Sequence, residues 1–196
     1  MKKVYIILLI LLFGCETRFS PKPKGYLRIE LEPKSDTLIE PKGCPFYFNL
    51  PDYFSLKYKS QKKCWIDLTY PKHKATIHIT YKQIGNNLFQ VLEESRQMAY
   101  KHTVKADAIN EQLYLNKINN TYGTLYSIHG ETASSVQFHL TDSVNHFIRG
   151  SLYFKVQPNQ DSLRPIINYL REDVIAMMES LKWKNDNVSI TKKIEQ

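Results

Sequence analysis

The chain opens with an unbroken apolar run, residues 4–13, behind Lys2 and Lys3 and ahead of Gly14-Cys15. From residue 26 the pattern changes to short alternating segments. Residues 26–31 predict a first strand, and a loop punctuated by Pro33 and Pro41 follows. Residues 46–50 and 53–58 predict short strands around Pro51. Residues 65–70, a turn at Pro71-Lys72-His73-Lys74 and residues 75–82 predict a hairpin. In its second arm Ala75, Ile77, Ile79 and Tyr81 point one way, and Thr76, His78, Thr80 and Lys82 the other.

The period then lengthens. Leu88, Val91, Leu92, Met98, Ala99 and His102 recur at helical spacing behind a capping Asn86 or Asn87. Glu93 and Glu94 toward its start, with Lys101 and His102 at its end, suit the helix dipole. Four more strands are predicted at 108–115, 122–129, 135–140 and 147–156. Their turns, at 130–132 and 141–145, are too short for helical crossovers, so the strands form an antiparallel meander. A second helix is predicted from Asp161 or Ser162, with Pro165 in its first turn. Its stripe is Leu163, Ile166, Ile167, Leu170, Val174, Met177, Met178 and Leu181. Beyond Trp183 the chain is polar.

Strands, helix, strands, helix with an antiparallel sheet is an α+β fold, the helices packing on the sheet. The element order resembles the PsbP-like fold. The expected organisation is a signal at 1–14, a lipidated cysteine and tether at 15–25, one domain at 26–184 and a polar tail at 185–196.

The first fifteen residues hold a positive start and ten apolar residues, too few to span a bilayer, which takes about 20. Leu12-Phe13-Gly14-Cys15 resembles a lipobox, with Phe13 bulkier than usual at its place. That reading has the signal cut before Cys15 and the cysteine acylated, including by palmitate. Two or three chains hold a membrane far better than one, at about 0.8 kcal/mol per buried CH₂. An uncleaved anchor and a plain secretory signal are the rival readings. Arg18, Pro21, Lys22, Pro23 and Lys24 make the next stretch polar and semi-extended, as a tether would be.

Net charge is +8; without residues 1–14 there remain 25 basic and 19 acidic residues, or +6. That suits a mixed, solvated surface or one near anionic head groups. There is no basic run of the kind that marks a nucleic-acid binder, and export argues against that class.

After Cys15 only Cys44 and Cys64 remain. An even pair in an oxidising compartment reads as one disulfide. Two reduced core thiols, or half of a metal site completed by His73 and His78, are the alternatives. Zinc spacings such as C-x-x-C are absent, so no metal is expected. No glycine-rich phosphate loop or H-E-x-x-H occurs either, so no cofactor is expected. Asp142, Ser143 and His146 are residue types for nucleophilic catalysis. Three members in one hairpin turn adopt triad geometry poorly, and there is no G-x-S-x-G elbow. Local backbone bonding in a turn accounts for them better. Glu93-Glu94 and Glu172-Asp173 are adjacent on helices and point apart, so a solvated face is expected for both pairs.

No catalytic residue is assigned. The candidate functional surface is aromatic plus arginine: Trp65, Phe147, Arg149 and Tyr153, a set that protein interfaces favour. A covering helix is the equally weighted alternative.

Several segments carry a family likeness. They are Cys15, Tyr26-Leu27-Arg28-Ile29, Gly43-Cys44-Pro45, Cys64-Trp65-Ile66, Tyr100-Lys101-His102 and the stretch from Gln137 to Ser143. His146-Phe147, Arg149-Gly150, Leu152-Tyr153-Phe154, Pro158-Asn159, Asp161-Ser162-Leu163 and Pro165 complete the set. Together they resemble the gliding-motility lipoprotein GldD family, over nearly the whole chain to Trp183. The Thr-Asp-Ser-x-x-His-Phe stretch is the most specific part.

The resemblance implies a membrane lipoprotein required for gliding, in diderm bacteria where gliding is coupled to type IX secretion. No catalytic activity is established for the family, so only Cys15 carries over, as the lipid attachment site. The resulting expectation is a non-enzymatic accessory or assembly component on the periplasmic face of either membrane. Its partners would be the membrane and other gliding or secretion envelope proteins. The alternatives are a periplasmic binding module for a small ligand, lipid or glycan, and a hydrolase using Ser143 and His146.

Overall fold

The computed structural model describes residues 35–156 and 159–184. The expected signal, tether, first strand at 26–31 and polar tail lie outside the described residues.

Ten strands and two helices are present among them. They are β1 (Thr37–Ile39), β2 (Phe46–Leu50), β3 (Ser55–Ser60), β4 (Trp65–Tyr70), β5 (Ala75–Gln83) and α1 (Leu88–Tyr100), followed by a 3₁₀ turn at Lys101–Val104. Then come β6 (Ala106–Asn116), β7 (Thr121–Gly130), β8 (Ser134–Thr141), β9 (His146–Phe154), α2 (Gln160–Ser180) and β10 (Lys182–Trp183). The α+β class and the antiparallel pairing expected from the pattern are both present. Two elements went unread. β1 lies in the segment taken for a proline-punctuated loop, and β10 is only two residues long. Neither has a periodicity of its own to detect. Each exists because it pairs with β2, Thr37 opposite Leu50 on one side and Trp183 opposite Phe46 on the other.

The strands form a small sheet, β1-β2-β10, and a seven-stranded sheet ordered β3-β4-β5-β9-β8-β7-β6. A meander runs from β3 to β5. The chain then crosses through α1 to the far edge and returns as a second meander from β6 to β9. The two meanders meet at β5 and β9, paired from Ala75 opposite Phe154 to Gln83 opposite His146.

One sheet face is apolar. Ile66, Leu68, Ile77, Ile79, Phe138, Leu140, Ile148 and Leu152 pack there in one core with Phe46, Phe48 and Leu50 of β2 and with Leu170, Val174, Met177, Met178 and Leu181. Each such side chain contributes about 1.5–3 kcal/mol by leaving water. The other face carries Asp67, Thr76, Gln137, His139 and Ser151, all buried, with α1 crossing above part of it. Every residue of β8 is buried.

Both helices depart in detail from expectation. The buried row of α1 is Val91, Ser95 and Ala99, whereas Met98 is 43% exposed. A serine in the row hid it from a count of apolar residues. Asn87 stands at the N-cap, but its side chain accepts the Gly85 N–H at 3.1 Å instead of a helix amide. The first turn of α1 has no acidic residue and its last turn no basic one, so the expected dipole pairing is absent. Glu93 accepts instead from Arg96 and Gln97. In α2, Asn159 is the cap, accepting the Ser162 N–H at 3.2 Å. Pro165 is therefore inside the helix, past the first turn. Without an N–H it leaves the residue 161 carbonyl without its helical donor. Asp173 of α2 is not on a solvated face as expected: it is fully buried and accepts from the Tyr53 hydroxyl at 2.7 Å, fixing the helix to the chain between β2 and β3.

Cys44 and Cys64 are joined in a disulfide, with 5.5 Å between their Cα atoms. It links the chain just before β2, in the small sheet, to the chain just before β4, in the large one. It consumes both thiols that a metal site would have used.

Two stability tests follow from this packing. Gly150 lies opposite Phe138, whose ring a Cβ on residue 150 would approach to 2.1 Å. Gly150→Ala is expected to lower unfolding free energy by about 1–3 kcal/mol in urea titrations. The Cys44→Ser/Cys64→Ser double variant is expected to lose about 3 kcal/mol by the same measurement, from releasing a loop of 20 residues.

Candidate partner-binding groove

The candidate site forms where α1 runs diagonally over the polar sheet face and leaves β4, β5 and β9 beside it uncovered. The resulting open groove has a volume of about 660 Å³. Trp65, Thr80, Lys82, Phe147 and Arg149 come from the sheet, and Val91, Glu94, Ser95 and Met98 from α1. Lys62 and Lys63, in the turn before β4, stand at its rim.

The register explains the set. Thr80 and Arg149 are cross-strand partners, as are Lys82 and Phe147. Even-numbered residues of β5 and odd-numbered residues of β9 therefore share this face. Trp65 joins them because its neighbour Ile66 points into the core. Trp65 is 39% exposed, with the Lys63 ammonium 4.9 Å from its ring centroid, in cation–π range. Arg149 is half-buried and donates to Gln137 Oε1 at 2.5 Å. Burial lowers its pKa, yet a guanidinium stays charged. Lys82 stands 3.5 Å from Glu94 across the groove. Phe147 is buried beneath α1 with Ile84 and Val91, so it forms the floor and no accessible contact.

Trp65, Phe147 and Arg149 are thus brought together and Tyr153 is not. Tyr153 lies at the opposite end of β9, its ring 5.5 Å from that of His78. His78 in turn meets buried Asp67 at 2.7 Å, and Lys59 reaches the same carboxylate at 3.4 Å. The lysines, Glu94 and Ser95 were not foreseen as site residues, because nothing local announces that α1 runs beside β5. Met98 carried no signal either: the sequence places it in the apolar stripe of α1, and only the structure takes it off the buried row.

His139 lies beside this site, opposite Arg149 in the ladder and stacked on Phe147 at 5.7 Å. Its Nδ1 is buried and has no hydrogen-bond partner among the described residues. Burial, then the nearby Arg149 charge, push its pKa down to about 4.

Elsewhere, the hairpin turn holding Asp142, Ser143 and His146 is internally bonded. Asp142 Oδ1 accepts the N–H groups of Val144, Asn145 and His146 at 3.0, 2.8 and 2.8 Å. The Ser143 N–H donates to Thr141 Oγ1 at 2.9 Å. His146 Nδ1 is hydrogen-bonded to the Tyr81 hydroxyl at 2.9 Å, and its ring stacks on Trp183 at 5.0 Å. A second cleft, of about 1120 Å³, lies between α2 and β6, β7 and β8. Its lining mixes polar side chains with Ile128, Val136, Pro165 and Ile167. Arg171 donates there to Ser127 at 3.1 Å and Gln112 at 3.2 Å, and Asn110 meets His129 at 3.3 Å.

The buried histidine generates a pH test. The unfolded chain takes up a proton near the ordinary value of 6.5, and the folded chain only near about 4. Stability from this group is therefore full above the first value and lost as pH falls through the window toward the second. The loss amounts to about 3 kcal/mol. Urea unfolding of His139→Gln across that window is expected to show a shallower pH slope than wild type. An identical slope would refute the assignment.

No helix among the described residues is long and apolar enough to cross a membrane. No curated protein matches the chain. Residues 16–183 match the family described as gliding motility lipoprotein GldD. The chain belongs to that family, and is accordingly a lipoprotein associated with gliding motility and held to a membrane by a lipid anchor.

Proposed function

We propose that the protein acts, without catalysis of its own, as an accessory or assembly component of the gliding and type IX secretion apparatus. Cys15 carries the lipid and holds it at the periplasmic face. The folded part binds another envelope protein in the groove of Trp65 and Arg149.

The observation that carries this reading is the groove itself: a partly exposed tryptophan beside a half-buried arginine over an apolar floor. Tryptophan and arginine are the residues that most often dominate binding energy at interfaces. Lys62, Lys63, Lys82 and Arg149 outnumber Glu94, so the groove suits an acidic partner segment that inserts an apolar side chain between Trp65 and Met98. The absence of catalysis is supported by the hairpin turn, where the Asp142 carboxylate is spent on backbone amides.

The cleft under α2, with its mixed polar and apolar lining, favours a second reading, a binding module for a small ligand, lipid or glycan. Native mass spectrometry of the chain released from its own membranes tests it: a copurifying glycan or lipid supports it, and a bare protein mass rejects it.

The main reading is tested by crosslinked capture from native membranes. Gliding and secretion proteins are expected with wild type, and a loss is expected with Cys15→Ser. With Trp65→Ala the captured amount is expected to fall by about 30-fold, the effect of losing an interface anchor worth about 2 kcal/mol. If Trp65→Ala captures the same proteins in the same amount, and cells glide normally, the groove is not the partner site.

A further inference from the structure

The two edges of the large sheet are built differently. β3 is six residues long, carries Lys57 and Lys59, and is broken by a register shift between Tyr58 and Ser60. Short length, lysines and a bulge are the usual devices that stop an edge from pairing with another chain. β6 has few of them. It is eleven residues long, its only register irregularity lies at its start, between Ala106 and Ala108, and it carries no lysine or arginine. β7 pairs with one side of it, and no strand among the described residues pairs with the other. On the sheet face that α1 only partly covers, Leu113 is 75% and Leu115 72% exposed, and Ile118 just beyond the strand is 95% exposed. Exposed leucines on a long open edge are a cost in water that pairing removes.

The sequence of this edge also says what pairs with it. In an antiparallel ladder with a two-fold axis perpendicular to the sheet, residues whose numbers are symmetric about the axis face each other. With the axis at Tyr114, Leu113 meets Leu115 of the second copy on that face, and Leu115 meets Leu113. Gln112 meets Asn116, two amides. Glu111 comes beside Lys117, the residue after the strand, so opposite charges face each other at both ends. The segment is thus complementary to itself in apolar contacts, amides and charge at one register.

We infer that β6 is a homodimerisation edge, pairing antiparallel with β6 of a second copy about Tyr114 and continuing the sheet across both molecules. This surface is on the same sheet face as the Trp65 groove but at the other edge, with β8 and β7 between them, so a dimer and a bound partner occupy different strands. Anchoring both copies in one membrane raises their effective concentration and favours such a short ladder.

The test uses the full-length lipoprotein in phospholipid vesicles, with Leu113→Cys and Leu115→Cys prepared as separate variants. Both positions are exposed, so folding is preserved. Under mild oxidation the two variants mixed in one membrane are expected to form a disulfide-linked dimer, and neither is expected to do so alone. In the proposed register residue 113 does not face itself, and residues offset along a ladder miss disulfide geometry. Adding Lys117→Glu to both variants is expected to lower the yield of the mixture about five-fold through facing like charges. No dimer in the mixture, equal dimer in the single-variant vesicles, or a yield indifferent to Lys117→Glu would each overturn the proposal.

Discussion

The nine-pair ladder between β5 and β9 joins the two halves of this fold. Without it the chain would be two separate meanders, each with a half-covered apolar face. With it, a seven-stranded sheet presents one continuous apolar surface large enough to take both α2 and the small sheet. The ladder pairs residues about 70 positions apart, so the entropy of closing that loop must be met by burial on the resulting face. It also places Thr80 beside Arg149 and Lys82 beside Phe147, which is how the groove acquires residues from distant parts of the chain.

The covering layer is held by different means at different points. The Cys44–Cys64 disulfide ties the start of β2 to the start of β4. Asp173, buried in α2, accepts from Tyr53, and the apolar row of α2 ends at Leu181, where the chain turns to pair with β2. Burial and hydrogen bonds to Tyr169 and Asp173 keep the Tyr53 hydroxyl protonated, so the pairing is insensitive to ordinary alkaline conditions. The small sheet thus forms one layer with α2 over the apolar face.

The second face obeys another logic. Helix α1 is a connection before it is a packing element: it carries the chain from β5 to the far edge and buries only two small apolar clusters on the way. What it does not cover is the polar ground between β4 and β9. There, a half-buried arginine and an exposed tryptophan lie within one region, beside the buried His139 of β8. The oblique path of α1 therefore creates the candidate site, and its limited contact leaves the leucines of β6 in the open.

The sequence by itself determined what local chemistry decides. The lipobox-like end at Cys15, the hairpin of β4 and β5, the meander from β6 to β9, both helices and the α+β class are all written in short-range periodicity and turn residues. So is the bonding of Asp142 within its turn, because an Asx side chain reaches amides two to four residues on. The even cysteine count favoured a disulfide, but only the tertiary structure brought Cys44 and Cys64 together and showed what they join. The tertiary structure alone decided that β1 and β10 exist, since strands of three and two residues owe their conformation to β2. It decided that Phe147 is floor while Trp65 is rim, that Tyr153 stands apart, and that Ser95 faces the sheet while Met98 does not. The physical reason is common to these cases: burial of a side chain depends on which distant strand or helix arrives beside it, and no local pattern encodes that arrival.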